Sequence, residues 1–331
     1  MQCTGDIINS LVTVSNVRSA VLAAGSTIMF SVNNFISPPT NQPVDAVTVT
    51  TYTSTGASID QCTAYVSGLV PKVIPSTQVS IAESSGNPIV VNNIYSIRID
   101  ITTLDILSAT DYMTITIPTG TSLTSFPGIV AFPNPVNSTT TSYAAPTITV
   151  YFSGTSNIAA GTKSFVIQNF VAPASTAAPS TFSIAFYSNT GYPKMTTSQS
   201  ITVTAATLAT GSTATPTLST VNQVTSYTFR ITTTYSLTSS GSLKLAFPAV
   251  LGVANNANCA AVSGTNMAAG PTCTYSSLDN SLTFSNINSS ATSIGKQTFT
   301  LTVSGITNPP STLTTGTFTL TTFYSSAGGM V

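Results

Sequence analysis

The chain has 331 residues, of which only 5% are charged, and its eight basic and eight acidic side chains cancel. Ordinary soluble proteins carry roughly 25% charged residues, so serine and threonine supply most of the polarity here. A chain without a basic surplus cannot neutralise a phosphate backbone or an anionic bilayer. We therefore expect no nucleic acid partner and no insertion of these residues into a membrane.

A segment of ten or eleven residues recurs three times, at Val47–Gly56, Phe182–Gly191 and Phe318–Gly328. Its last glycines are separated by 135 and 137 residues. Self-similarity at a nearly fixed period indicates an array of like modules rather than one domain with one active site. Each segment is predicted to be the closing strand of a module, with its glycine in a tight turn.

The first copy of the repeat is incomplete. Aligning Cys3 with Cys273 also aligns Gly25 with Gly295, and the strand patterns between these positions agree. The chain is therefore expected to open in the middle of a module, with Met1 not a true translation start. The predicted domains are a partial sandwich repeat at 1–70 that matches only the second half, and complete repeats at 71–205 and 206–331.

The first halves of the complete modules align through Tyr95–Ile99 and Tyr227–Ile231, which lie 132 residues apart. This alignment makes Arg98 and Arg230 equivalent, and we expect them to share a structural role such as bonding to loop carbonyls. Thr232 then lies opposite Asp100 in the repeat.

Strict alternation of apolar and polar residues follows at Met113–Pro118 and Leu243–Pro248. A period of two predicts a half-buried strand, and the proline that ends each segment closes it. A later strand is predicted at Phe30–Val32, Phe165–Ile167 and Phe299–Leu301. No stretch shows sustained helical spacing.

These patterns predict an all-β fold of tandem immunoglobulin-like antiparallel β-sandwich repeats, each of about 135 residues, with negligible helix. A barrel is the alternative. The chain has no tryptophan, so the expectation concerns sandwich architecture and not a true antibody-type domain.

Four cysteines are present. Cys259 and Cys273 lie in one module and are predicted to form a disulfide; the alternative is two free buried thiols. A loop of this length contributes roughly 3 kcal/mol in the usual entropy model, and such bonds persist in oxidising compartments. The repeat places the counterpart of Cys259 upstream of Met1, so Cys3 either lacks its partner or bonds to Cys62.

Near-zero net charge favours association unless glycans solvate the surface. Sequons at Asn137 and Asn288 predict N-linked glycans, and the many hydroxyl groups offer sites for O-linked sugar. Covalent glycans are the only non-protein groups expected, with no other cofactor, no metal and no small-molecule substrate.

No constellation predicts catalysis. The chain has no histidine, which removes the usual agent of proton transfer and the commonest metal ligand. Asp100, Asp105 and Asp111 form the only local acidic group; they could hold calcium, but solvated loop carboxylates are the preferred interpretation, because the third module has no matching acids. We expect no enzymatic activity.

Three surface aromatic residues, Tyr52, Tyr187 and Tyr324, recur once per repeat beside the closing turn. We interpret them as packing at module junctions rather than as platforms for sugar. Thr-x-Thr patterns such as Thr48–Thr50 are similar to those of ice-binding proteins, but threonine is also a good strand former on a wet sheet face.

The order of motifs between Tyr227 and Gly328 resembles the tandem-repeat surface and fibril proteins of single-celled eukaryotes, notably ciliates. It comprises an aromatic strand, an apolar strand ending in proline, two cysteine segments, a Val-Ser-Gly-Ile-Thr-Asn-Pro segment and a Phe-Tyr-Ser segment. The resemblance also covers the middle module without its cysteines. It implies an extracellular, glycosylated, array-forming protein with no catalytic residues to transfer.

The sequence thus predicts a structural subunit of an extracellular glycosylated fibril or surface coat. Its partners would be copies of itself, arranged head to tail. Either β-strand addition by another copy completes the first module, because an incomplete sandwich leaves strand edges open, or the sequence is a window on a longer continuous chain. The alternative is the stalk of a cell-surface adhesin, and a second alternative is a carbohydrate- or ice-binding β-protein.

Overall fold

A computed structural model describes most of the chain. The residues outside the description are 1, 7–10, 16–22, 24, 30, 34–35, 43–45, 65–68, 126–128, 131–139, 153–155, 178–180, 209–210, 265–266, 268–270, 290–295, 314, 326–327 and 331. The backbone alone is described for the strand residues 2–3, 6, 129–130, 140, 255–256, 258–263, 325 and 328–330.

The described residues form β-strands almost throughout, which confirms the predicted all-β fold. The first segment holds β1 (Gln2–Asp6), β2 (Leu11–Ser15), β3 (Val47–Tyr52) and β4 (Ser58–Ala64). The middle module holds β5 (Lys72–Val73), β6 (Val79–Glu83), β7 (Ile89–Val90), β8 (Ile94–Thr103), β9 (Tyr112–Thr116), β10 (Ser122–Leu123), β11 (Ile129–Val130), β12 (Thr140–Ala144), β13 (Thr147–Tyr151), β14 (Gly161–Val171), β15 (Phe182–Tyr187), β16 (Pro193–Gln199) and β17 (Val203–Thr204). The third module holds β18 (Thr213–Pro216), β19 (Val224–Thr232), β20 (Ser242–Ala246), β21 (Gly252–Ser263), β22 (Thr272–Ser276), β23 (Ser281–Ser285), β24 (Thr298–Thr307), β25 (Thr319–Ser325) and β26 (Gly328–Met330).

The middle module is a sandwich of two sheets. One sheet has the order β10-β14-β8-β6, with β11 also on β14, and the other has the order β12-β13-β9-β15-β16-β5. Alternate residues of both sheets join one buried cluster that runs from Ile74 to Ile201. Burying a large apolar side chain contributes roughly 1.5–3 kcal/mol, so this two-sided cluster holds the sheets together.

The third module repeats the arrangement with its own core, from Tyr227 to Ile306. Its sheets have the orders β18-β19-β24-β21 and β22-β23-β20-β25-β26. In both modules the two long strands pair with a bulge at the same place, between Tyr95 and Ile97 of β8 and between Thr225 and Tyr227 of β19. The alternation predicted for β9 and β20 is confirmed, since Met113 and Leu243 are both fully buried.

The first segment has two separate hairpins. Strands β1 and β2 form one two-stranded sheet, and β3 and β4 form another. Residues 1–38 form a compact unit of their own, and residues 39–331 form a second unit. The segment 1–70 is therefore not one compact body, as an isolated two-stranded hairpin has too few neighbours to build a core.

Both hairpins reproduce the registers of their predicted counterparts. Cys3 pairs with Val14 as Cys273 pairs with Phe284. Likewise, β3 and β4 pair from Val47 opposite Ala64 to Tyr52 opposite Ser58, and β15 and β16 pair with the same residue separations and the same bulge before the tyrosine. The turns also match, since Gly56 and Gly191 have φ of 85° and 87°. The repeat seen in the sequence is thus a structural repeat.

Two strand predictions are wrong. Residues 31–33 form no strand, although Phe165–Ile167 and Phe299–Leu301 lie in β14 and β24; those strands pair with β8 and β19, and no described strand of the first segment supplies that partner. The Phe-Tyr-Ser segment is not a closing strand either, because β4, β16 and β26 follow it. Gly328 lies in β26 rather than in the turn.

Helix is limited to one short 3-10 turn at Ser76–Gln78 among the described residues. No helix in this part of the chain has the length and hydropathy needed to cross a membrane.

Candidate functional site: module contacts and strand edges

The acidic group of the middle module does not converge on one point. Asp100 accepts a bond from Arg98 Nε at 3.0 Å, and Asp105 lies 2.6 Å from the Lys72 ammonium group. Asp111 is paired with a third cation. Each carboxylate therefore has its own positive partner, and no cluster of three potential ligands is found among the described residues.

Asp111 corrects the expectation of solvated loop carboxylates. Its side chain is 4% exposed and lies 2.7 Å from Lys194 Nζ, which is 7% exposed. The same carboxylate oxygen accepts a bond from the backbone N–H of Ser108 at 2.7 Å, and Lys194 also donates to the carbonyl of Ile106 at 3.2 Å. This buried ion pair ties the loop before β9 to the start of β16.

The third module has no room for the same ion pair. Gly241 occupies the position of Asp111, because each donates its backbone N–H to a residue three positions earlier. A Cβ atom at Gly241 would lie 3.1 Å from the carbonyl oxygen of Thr238 and 3.2 Å from that of Phe323. The two modules therefore close this corner differently, one with an ion pair and the other with direct backbone contact.

The middle and third modules are joined by a hydrogen bond between side chains. Tyr235 lies between β19 and β20 and donates its hydroxyl to Asn93 Oδ1 at 2.5 Å. Asn93 Nδ2 in turn donates to the hydroxyl of Tyr95 at 3.4 Å, and that hydroxyl accepts the N–H of Val90 at 2.8 Å. Burial raises the pKa of Tyr235, and the neighbouring Tyr95 adds to the rise.

The linker between these modules, which includes β17 and Thr207, is hydrogen-bonded to both of them. Strand β17 pairs in parallel with β7, and Val91 donates its N–H to the carbonyl of Thr204 at 3.1 Å. On the other side, Thr234 Oγ1 donates to the carbonyl of Thr207 at 2.7 Å. The linker therefore continues the middle module and is bonded to the third one.

Sequence reasoning missed this junction because its residues do not repeat. Tyr235 corresponds to Asp105 in the middle module, so a search for recurring residues passes over it. One signal was available in the sequence. Tyr235 lies in the predicted loop between two strands, and an aromatic side chain in a loop needs a surface to pack against.

The three recurring tyrosines do not mark the module junction. Tyr187 stacks on Tyr112 within the middle module, with ring centroids 4.9 Å apart and planes 8° apart. Tyr52 is 63% exposed and Tyr324 is 41% exposed. The ring of Tyr151 lies 5.6 Å from that of Tyr112 and is tilted by 36°, so the middle module carries a ladder of three tyrosines across β13, β9 and β15.

The structure does not place Arg98 and Arg230 at equivalent positions, which corrects the sequence alignment. The bulge lies between Tyr95 and Ile97 in β8 and between Thr225 and Tyr227 in β19, so Arg230 corresponds to Asp100 and not to Arg98. Arg98 bonds to Asp100 and to Ser164 rather than to loop carbonyls. Arg230 lies on the exposed face of β19. Both arginines therefore lie on the outward side of a long strand. Arg98 does not form the expected bonds to loop carbonyls.

Cys62 has a free, exposed thiol in β4. Its cross-strand neighbour is Val49, so the suggested bond between Cys3 and Cys62 is wrong. Cys273 is disulfide-bonded, but the side chain of Cys259 lies outside the described residues. The pairing of Cys259 with Cys273 stays a prediction.

The two sequons have different outcomes. Asn137 lies outside the described residues. Asn288 is 8% exposed, and its Nδ2 donates to the carbonyl of Leu237 at 3.2 Å. Because Nδ2 is the atom to which an N-linked glycan attaches, the folded module argues against glycosylation at Asn288.

Comparison with known proteins gives no family for this chain. No protein-family description matches it, and no curated protein matches it. The resemblance to surface proteins of single-celled eukaryotes therefore has no support from these comparisons.

Solved structures of bacterial adhesins are similar to the chain. The serine-rich repeat adhesion glycoprotein of Streptococcus agalactiae is 13% identical, with 76% of this chain and 93% of that chain covered and a TM-score of 0.23. The collagen adhesin of S. aureus is 14% identical, with 79% and 91% covered and a TM-score of 0.24. The N-terminal domain of a Streptococcus gordonii adhesin is 11% identical, with 71% and 59% covered and a TM-score of 0.27. At such low scores and identities, no property of the adhesins is transferred to this chain.

Proposed function

We propose that the chain is part of the stalk of an extracellular cell-surface protein, in which sandwich modules act as ordered spacers. The observation that carries the proposal is the module junction, where the Tyr235–Asn93 hydrogen bond and the linker bonds hold successive modules together. A spacer needs such contacts because an unbonded linker would leave the modules free to reorient.

The surface chemistry fits an extracellular spacer. Charged residues are rare, and hydroxyl side chains fill the outward positions of strands such as β9, where Thr114 and Thr116 alternate with buried residues. Hydroxyl-rich surfaces accept O-linked sugar, which would compensate for the missing charge repulsion. The proposal includes no enzymatic activity, no nucleic acid partner and no small-molecule substrate.

The stalk proposal is tested by the oligomeric state of the purified protein and by its location on the cell. Light scattering coupled to size exclusion should give a monomer over a wide concentration range, and negative-stain images should show dispersed particles. Antibodies against the chain should label intact, unpermeabilised cells. Labelling only after permeabilisation would overturn the proposed location.

A second candidate is a self-assembling fibril or surface coat, with copies of the chain as partners. The observation that favours it is the outer edge of β3, which pairs with no strand of the described residues and carries exposed apolar side chains. Unpaired edges of this kind promote association through backbone hydrogen bonds. Regular filaments of the purified protein, with an axial repeat equal to a whole number of modules, would replace the stalk proposal with this one.

A further inference from the structure

We infer that the middle module is a load-bearing element that resists tension applied through the chain on either side of it. The resistance comes from a clamp, which consists of the parallel strand pairs β5–β16 and β7–β17. The biological use of the clamp rests on the proposed stalk function, because a stalk transmits force along its length. The resistance itself is a property of the module and is measured on the purified protein.

The first strand of the module pairs in parallel with its last long strand. β5 lies beside β16, with Val73 opposite Thr196. The pairing continues beyond β5, where Ile74 donates its backbone N–H to the carbonyl of Thr196 at 2.9 Å. Thr197 Oγ1 donates to the carbonyl of Ile74 at 3.0 Å, and both of these residues are buried. The segment by which the chain enters the module is thus bonded directly to the segment by which it leaves.

A second parallel pair holds the same exit segment. β17 follows β16 in the chain and lies beside β7, with Val203 opposite Ile89. Val91 donates its N–H to the carbonyl of Thr204 at 3.1 Å, and Thr204 Oγ1 donates to the carbonyl of Ile89 at 3.1 Å. Both pairs of the clamp therefore combine a short parallel ladder, a further backbone hydrogen bond and a threonine hydroxyl bond.

The parallel direction decides how these bonds meet a pulling force. The chain continues on both sides of the module, so tension enters before β5 and leaves after β17. In the β5–β16 pair these two points lie at opposite ends of the ladder, and tension therefore slides one strand along the other. The β7–β17 pair is loaded in the same sense, because β7 is held by the rest of the module while β17 is pulled towards its C-terminal end. The bonds of each pair share the load and must break together.

One loop of the module also fastens both strands of the β5–β16 pair through side chains. In the segment between β8 and β9, Asp105 lies 2.6 Å from Lys72 Nζ on β5. Further along this loop, Asp111 lies 2.7 Å from Lys194 Nζ on β16, and Lys194 also donates to the carbonyl of Ile106 at 3.2 Å. The pair at Lys194 is buried, and salt screens buried pairs less than exposed ones. Sliding of β5 along β16 would have to separate these groups as well.

The test applies force across the middle module within the full chain, using optical tweezers. An azide-bearing phenylalanine replaces Val70 and Thr207, which are exposed positions on the two sides of the clamp, and each azide attaches one DNA handle. Pulling at these sites loads both pairs in shear. In a second protein the azides replace Val70 and Asn189, an exposed residue in the turn before β16. These two sites lie at the same end of the β5–β16 ladder, so pulling peels its bonds apart one after another.

At equal loading rates, the first rupture should need a force at least about twofold higher in the shear direction than in the peeling direction, because forced unfolding follows the rate of unfolding under load. The two proteins differ only in where force is applied, so the module and its contacts are their own control. A released length of up to about 3.5 Å for each residue between the handles identifies rupture of the middle module.

A hydroxyl variant locates the clamp. Thr197→Val keeps the shape of the side chain and removes its bond to the carbonyl of Ile74. In the shear direction it should raise the rate of rupture at constant force by about fivefold. In the peeling direction the ladder opens before this bond is reached, so the rate of first rupture should stay within about twofold. A merely structural loss would accelerate rupture in both directions.

The matched control removes a hydrogen bond of the same module outside the clamp. Thr162→Val breaks the bond between the hydroxyl groups of Thr162 and Thr102, which lie 3.0 Å apart on the paired strands β14 and β8. It should leave the rate of rupture in the shear direction within about twofold of the wild type.

Two outcomes would overturn the inference. One is an equal or lower rupture force in the shear direction. The other is equal acceleration of rupture by Thr197→Val in the two directions, or equal acceleration by Thr197→Val and Thr162→Val under shear. Either result leaves the monomer and cell-labelling tests of the stalk proposal unaffected. Conversely, a protein that cell labelling places inside the cell would lose its proposed stalk function, while the measured resistance of the clamp would stand.

Discussion

At the scale of single residues, the Lys194–Asp111 pair is the contact with the largest expected effect on stability. Both side chains are nearly inaccessible to water and are also bonded to backbone groups. Removing two charges from water is costly, and their mutual attraction offsets this cost only when the remaining donors and acceptors are satisfied. Loss of one partner should therefore be worse than loss of both.

We expect Lys194→Met to destabilise the middle module by about 3–5 kcal/mol, because Asp111 would remain buried without its cation. The double variant Lys194→Met, Asp111→Leu should recover most of this loss. Urea unfolding, followed by tyrosine fluorescence because the chain has no tryptophan, measures the free energy of unfolding of both variants. Lys244→Met in the third module is the control, since Lys244 and its partner Asp279 are both exposed and exposed pairs contribute under about 1 kcal/mol. Equal losses in the single and double variants would contradict this account.

Two asparagines hold equivalent turns before the long strands β8 and β19. Asn92 and Asn222 have φ of 58° and 53°, and each donates its backbone N–H to a proline carbonyl, of Pro173 or Pro309, at 3.1 Å. Residues other than glycine and asparagine adopt this left-handed conformation at a cost of roughly 1–2 kcal/mol.

The change Asn222→Ala should therefore lower the free energy of unfolding of the third module by roughly 1 kcal/mol. Asn222→Gly should be close to neutral, because glycine adopts positive φ without steric cost. Thermal unfolding of the two variants side by side tests the cause. A loss of similar size in both would point to the side chain of Asn222 rather than to its backbone conformation.

At the scale of the element, the tyrosine ladder links three neighbouring strands of the middle module. Tyr151, Tyr112 and Tyr187 occupy directly opposed positions on β13, β9 and β15, and cross-strand aromatic pairs stabilise a sheet. Burial raises the pKa of Tyr112, and the nearby Tyr187 and Tyr151 phenols add to the rise. Ionisation of Tyr112 is thus less favourable in the folded chain than in the unfolded chain.

The sign of the pH effect follows from this shift. Because the folded pKa of Tyr112 lies above its ordinary value of 10.0, the folded chain holds the proton more tightly, and stability decreases as pH rises above about 10. Tyr112→Phe cannot ionise, so its melting temperature should decrease less steeply between about pH 9 and pH 11. Tyr324→Phe, at an exposed tyrosine outside the ladder, should keep the wild-type slope. Parallel slopes in all three proteins would contradict the assignment to Tyr112.

The elements show what the sequence could predict and where it failed. Strict alternation located β9 and β20, and the segments that the repeat alignment matched form hairpins of the same register, because local pattern and turn chemistry determine a hairpin. The strand expected at Phe30–Val32 failed because a strand also needs a partner, and pairing is not encoded locally. The burial of Asp111 and the Tyr235–Asn93 bond were missed for the same reason: each joins residues more than eighty positions apart.

At the scale of the whole molecule, the proposed spacer function depends on the junction between the middle and third modules. The Tyr235–Asn93 bond is the only direct side-chain hydrogen bond between the two modules' β-rich segments among those described, while β17 and Thr207 bind through the linker. A single buried hydrogen bond contributes roughly 0.5–1.5 kcal/mol. Its loss should change the freedom of the modules and not their folding.

We therefore expect Tyr235→Phe to widen the distribution of distances between spin labels placed on the two modules, measured by double electron–electron resonance at one exposed site in each. The unfolding transitions of both modules should stay within about 1 kcal/mol of the wild type, because the ring remains and only the hydroxyl is lost. Tyr275→Phe is the matched control, since its hydroxyl donates to Asn280 within the third module at 3.0 Å. Its distance distribution should equal that of the wild type. A distribution that stays equally narrow in Tyr235→Phe would mean that the linker strands alone hold the modules, and the role assigned to this bond would be wrong.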